Sequence, residues 1–157
     1  MNFSPLRASL SALLLLPVLT LSAPVRAGDF AADATARTTA ATGFGLQGDA
    51  PGWLFLKDDV THASKGDFWK APASPAIAII TKFRETLAAA GVTLILAPVP
   101  SKAAVYPDKL LAGTAVDAVP SSQPFLESLK ATGATIVDLE TPFRAEREKT
   151  RVFCATD

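Results

Sequence analysis

Val92-Thr93-Leu94-Ile95-Leu96-Ala97 is a nearly continuous apolar run, entered from Gly91 and broken by Pro98-Val99-Pro100. An apolar run with almost no polar alternation is the pattern of a strand buried on both faces, as in parallel sheets covered by helices. The segment before it fits that reading. Ser74 can cap a helix whose first position is Pro75. Ala76, Ile79, Ile80, Phe83, Leu87 and Ala90 then fall at helical spacing, with Lys82, Arg84 and Glu85 off the stripe. Gly91 is placed to end the helix in a left-handed turn. The unit repeats: Ser122 can cap a helix with Phe125, Leu126 and Leu129 inward, Gly133 ends it, and Ala134-Thr135-Ile136-Val137 is the next strand. Thr141-Pro142 opens a short charged helix running to Lys149, and Arg151-Val152-Phe153-Cys154-Ala155 reads as a terminal strand leading to Asp157. This alternation predicts an α/β fold with a mainly parallel sheet and right-handed crossovers.

The first 27 residues carry a different signal. Arg7 precedes an apolar stretch from Leu10 to Ala23, and Val25-Arg26-Ala27 offers small residues at a cleavage site. The stretch is short for a bilayer, which needs about 20 residues, and Pro17 interrupts it. A cleaved signal peptide over residues 1–27 is expected, an uncleaved anchor being the alternative, and either would place the rest outside the cytoplasm. Residues 28–50, rich in Ala, Thr and Gly, read as a flexible leader, and 51–157 as the domain. Asp58 to Ala73 reads as polar and irregular. Without Arg7 and Arg26, the balance of 15 basic and 15 acidic residues turns slightly acidic. That leaves no basic excess for nucleic acid or anionic lipid. Cys154 is alone and reads as a small buried hydrophobe on its strand. No Cys/His/Asp cluster has metal-ligand spacing, and no cofactor is implied.

Chemistry in an open α/β sheet gathers beyond the carboxyl ends of its strands. There the pattern brings Ser101 and Lys102, then Asp138, then Asp157. Each has a plain structural reading as well. Asp138 is suited to capping the helix near Thr141, and Ser101-Lys102 to a solvated turn after two prolines. His62 lies outside the regular pattern, where a surface role is expected. Trp53, Phe55, Phe68 and Trp69 fit core or lid packing better than a sugar platform.

Three stretches resemble the SGNH-hydrolase-like domain of the AlgX/AlgJ alginate O-acetylation proteins. They are Gly52-Trp53-Leu54-Phe55-Leu56-Lys57-Asp58-Asp59; Leu94 to Lys102 continuing into Val105-Tyr106-Pro107-Asp108-Lys109-Leu110; and Ile136-Val137-Asp138-Leu139, Phe143, then Arg151 to Asp157. The resemblance implies a three-layer fold, incomplete at the C-terminus, with a mainly parallel sheet. It also implies an Asp-Thr-His-Trp signature whose aspartate corresponds to Asp157, and a Ser-His-Asp triad whose histidine and serine have no counterpart in this chain. In that family the nucleophile does not come from the first strand, which weighs against Ser101.

The function so implied is periplasmic O-acetyl transfer to hydroxyls of an exopolysaccharide such as alginate. A membrane or periplasmic partner would deliver the acetyl groups. As a fragment, the chain alone is expected to be inactive, and its unpaired terminal strand edge is an association hazard. The alternative is a non-catalytic polysaccharide-binding or scaffolding module of exopolysaccharide secretion, favoured by Phe68-Trp69 and the incomplete triad. A self-contained hydrolase using Ser101, His62 and Asp138 ranks last, because it needs His62 to fold over the strand ends.

Overall fold

The computed structural model describes residues 27–66, 70 and 75–156. Most of the expected signal peptide, the capping role of Ser74, the pair Phe68-Trp69 and Asp157 therefore lie outside the described residues. The elements in order are α1 (Ala27–Ala40), β1 (Gly45–Gln47), β2 (Leu54–Leu56), α2 (Lys57–Lys65), α3 (Ala76–Ala89) and β3 (Ile95–Leu96). There follow α4 (Lys102–Val105), α5 (Pro107–Leu110), a 3-10 turn (Val116–Ala118), α6 (Gln123–Lys130), β4 (Thr135–Ile136) and α7 (Glu140–Glu146).

The fold is mixed α/β, with two two-stranded sheets among the described residues. The expected parallel pairing exists: Ile95 pairs with Thr135 and Leu96 with Ile136, and the Val137 N–H extends it to the Leu96 carbonyl at 2.8 Å. It is shorter than the apolar runs, because Val92-Thr93-Leu94 has no ladder partner and stays outside the strand. The second sheet, β1 with β2, is antiparallel, with Leu46 opposite Phe55. Gly48 closes it against α5, where a Cβ would stand 2.2 Å from the Lys109 carbonyl oxygen, so only glycine fits. At the end of α3, Gly91 adopts φ +73° as expected.

Three expectations need correction. Residues 28–50 are not a loose leader: 27–40 form α1, and Phe30 and Ala34, one turn apart on one face, are fully buried. The segment after Asp58 is helical to Lys65, carried by Val60 and Ala63 at i, i+3 spacing. Residues 151–156 form no strand. Their backbone groups are taken by a tyrosine hydroxyl at Val152 and by β2 and a lysine at Ala155, rather than by a parallel neighbour. Cys154 is consequently exposed, not a buried strand residue.

The core is not centred on the parallel pair. Phe30 and Ala34 of α1, Leu46 and Phe55 of the antiparallel ribbon, Val60 of α2, and Ala103, Leu110, Leu111 and Val119 form it. The α3 stripe expected to be inward has no buried residue. Ile79 is 60% exposed, Phe83 55%, Ile95 62% and Val99 67%, because a two-stranded sheet is too narrow to cover the helix. Apolar surface of this kind drives association. The chain alone is expected to elute from size exclusion above monomer size, and Phe83→Lys with Ile95→Lys to move it toward monomer. A monodisperse unsubstituted monomer would contradict this.

Candidate functional site

The loop leaving β3 carries Pro98, Val99, Pro100 and Ser101. The loop leaving β4 carries Asp138 and then Glu140 at the start of α7. Parallel pairing puts both at one end of the sheet, and α2 and the start of α6 close over them. A cavity of about 350 Å³ results, lined by Asp59, His62, Pro98, Ser101, Ser122, Phe125 and Glu140, among others. Its walls are mostly apolar, with carboxylates at two points.

Asp59, projecting from α2, is the group the sequence pattern did not single out as chemical. It accepts the Ser101 hydroxyl at 2.9 Å and the Ala103 N–H at 3.3 Å. Burial raises its pKa above the ordinary carboxylate value, against the opposing pull of those hydrogen bonds. Ser101 Oγ also accepts the Ala104 N–H at 3.3 Å, so it caps α4. Ser101 is thus neither a solvated turn residue nor set up as a nucleophile. Its proton points at a carboxylate, and its lone pairs face a helix N-terminus. His62 does line the same cavity, but it does not stand between Ser101 and an acid, since Asp59 takes the serine directly. The arrangement with Asp138 as third member is not formed.

Asp138 caps, as its structural reading expected. Its carboxylate accepts the Glu140 N–H at 2.9 Å, the Thr141 N–H at 3.2 Å, the Thr141 hydroxyl at 2.6 Å and the Gln123 side-chain amide at 2.8 Å. The Thr141 hydroxyl leads in holding its pKa below the usual value. Glu140 is almost fully buried. It receives the Ser122 N–H at 2.8 Å and the Ser122 hydroxyl, and pairs with Arg144 at 2.9 Å. Ser122 therefore does not cap α6 with its side chain. It ties that helix to the β4 loop.

Beside this cavity, the three stretches singled out in the sequence meet. Lys102 is 6% exposed. Its ammonium lies 5.6 Å from the Trp53 ring centroid, 5.4 Å from that of Phe55 and 3.1 Å from the Ala155 carbonyl oxygen. The same carbonyl accepts the Leu54 N–H at 2.7 Å, along the edge of β2 that β1 leaves free. Tyr106 packs 4.8 Å from Trp53 and edge-on to Phe153, and its hydroxyl accepts the Val152 N–H at 3.1 Å. Arg147 also braces the tyrosine: it lies 5.2 Å from the ring centroid, donates to the Val105 carbonyl at 2.8 Å and pairs with Asp108. Trp53 and Phe55 are packing residues, as expected. Of the strand-end residues, Lys102 and the terminal segment converge, whereas Asp138 is turned to its helix. Asp157, expected to close the group, follows Ala155 by two positions.

Among the described residues, no group of three or more His, Cys, Asp or Glu could hold a metal ion. Among them, too, no helix is long and apolar enough to cross a membrane. The family described as SGNH hydrolase-like domain, acetyltransferase AlgX, matches residues 46–157. No curated protein and no solved structure matches the chain.

Proposed function

The chain belongs to the family of SGNH hydrolase-like domains described by the acetyltransferase AlgX, and from that membership we propose that it serves O-acetylation of an exopolysaccharide such as alginate. In this reading Asp157 is the carboxylate of a Ser-His-Asp triad whose histidine and serine lie beyond residue 157. A serine takes the acetyl group from a donor, and a histidine base activates a sugar hydroxyl to receive it. Asp157 holds the imidazole in the reactive tautomer and stabilises it once protonated. The signal-like pattern of residues 1–27 supports a periplasmic setting, with acetyl groups delivered by a membrane or periplasmic partner.

The observation carrying this reading is the meeting of Trp53, Lys102 and Tyr106 around residues 152–155, within the span that the family matches. Three separated stretches meet at the segment that precedes Asp157 in the sequence, which supports a positioned carboxylate there. The capping role of Ser101 supports this, because its hydroxyl is committed to a carboxylate and a helix N–H rather than to a histidine base. An acetyl-ester hydrolysis assay tests the proposal. The 157-residue chain is expected to show no turnover above background, and Ser101→Ala to change nothing. A polypeptide continued through the histidine and serine is expected to turn over. Activity in the 157-residue chain that Ser101→Ala removes would sink the assignment.

A further inference from the structure

We infer that Lys102 is a positioning residue: its ammonium holds the Ala155 carbonyl and so fixes the segment that delivers Asp157. The inference rests on the reading of Asp157 as the orienting carboxylate, and it adds a residue which that reading does not require.

A lysine is rarely buried without a specific partner, because taking its charge from water is costly. Lys102 is 6% exposed although its neighbour Ser101 is only partly covered. Two aromatic faces, Trp53 and Phe55, lie within cation–π range of its ammonium. Both rings belong to the β2 region, and the Ala155 carbonyl that Lys102 reaches is the one that the Leu54 N–H of β2 also reaches. The ammonium therefore joins three chain segments at one carbonyl: the loop after β3, the β2 edge and the terminal segment.

The terminal segment has a second anchor at Val152, whose N–H donates to the Tyr106 hydroxyl. One anchor alone would leave the segment free to pivot. With Val152 and Ala155 both held, the course of residues 152–155 is set, and Asp157 is two residues further along the sequence. A neutral side chain in place of Lys102 would leave Ala155 with a single N–H donor from β2. A charged donor makes the stronger hydrogen bond, and an apolar side chain packed at this point would supply none.

Site-resolved amide hydrogen exchange on the full chain separates this role from general stabilisation. Leu54 reports the clamp, since its N–H is bonded to the Ala155 carbonyl. Phe55, next in sequence and paired with Leu46 on the opposite edge of the strand, is the internal control. Lys102→Met keeps the aliphatic stem and removes the charge. It is expected to speed exchange at Leu54 by about tenfold or more, the worth of a hydrogen bond to a charged group, while Phe55 stays within about twofold. Lys102→Arg keeps a cation and is expected to restore Leu54. Unchanged exchange at Leu54, or equal acceleration at Leu54 and Phe55, would overturn the inference. Should the Met chain not fold, the Arg chain decides alone, and loss of Leu54 protection there overturns it. No turnover is read, so failure of the acetyl-transfer reading leaves these rates where they are. An unchanged Leu54 rate would dismiss Lys102 while leaving Asp157 in place.

Discussion

Under the proposed triad, Asp157→Asn in a polypeptide continued through a histidine and a serine is expected to lower kcat for acetyl transfer by about 10⁴-fold with KM little changed. The size follows from what the carboxylate does in a Ser-His-Asp triad. An amide of the same shape presents a donor as well as an acceptor, selects the wrong imidazole tautomer and leaves the imidazolium without a counter-charge. Substrate contacts are untouched, so the loss belongs to the transition state and not to binding. Steady-state kinetics with an acetyl-ester donor and a polysaccharide acceptor measure it. A loss below tenfold would remove Asp157 from the chemistry. The same variant made in a Lys102→Met background is expected to lose little more, because a mispositioned aspartate and a missing one disable the same imidazole.

The parallel pair was legible because its signal is local. Two apolar runs, each entered from a helix-ending glycine, pair in parallel through the intervening crossover at residues 95–96 and 135–136. Inward placement of Leu126 and Leu129 and the cap at Asp138 were legible for the same reason. Where packing decides, the pattern failed. α1 carries a low, Ala- and Thr-rich apolar signal, yet Phe30 and Ala34 are completely buried by tertiary contacts. In α3 the stripe is clear, yet little covers it.

The site divides along the same line. Strand polarity placed Ser101 and Lys102, Asp138 and Asp157 at one edge. Lys102 does meet the terminal segment at Ala155, whereas Ser101 is taken by Asp59 and Asp138 by its own helix, and Asp157 lies outside the described residues. Asp59 was not found, since nothing in Lys57-Asp58-Asp59-Val60 reveals that a helix will carry one of two adjacent aspartates to Ser101. A sign existed in hindsight. Asp58 and Asp59 point in different directions once the stretch is helical, and Asp59 lies one residue before the buried Val60, whereas Asp58 stays exposed. His62, three residues beyond Asp59 and so on the same side of the helix, lines the same cavity.

Phe55→Ala is expected to cost about 3–5 kcal/mol, the range for truncating a buried phenylalanine without collapse of the hole. At this chain length that lowers the unfolding temperature by about 6–20 °C, and thermal denaturation followed by far-UV circular dichroism would show it. Phe55 is 1% exposed and meets Leu46 across the ribbon. Its ring also lies beside the Lys102 ammonium, so the cavity opens on both a hydrophobic and a charged wall. Phe55→Leu, which nearly conserves volume, is expected to cost less than about 1.5 kcal/mol. Phe83→Ala provides the contrast, since that ring is 55% exposed on α3 and its removal is expected to shift stability by no more than about 0.5 kcal/mol. Both phenylalanines sit in strongly apolar sequence, and periodicity alone would rank Phe83 the more buried. Equal losses at the two positions would mean that the hydrophobic centre does not lie between α1 and the antiparallel ribbon, and the clamp on Ala155 would lose the rigid floor on which it stands.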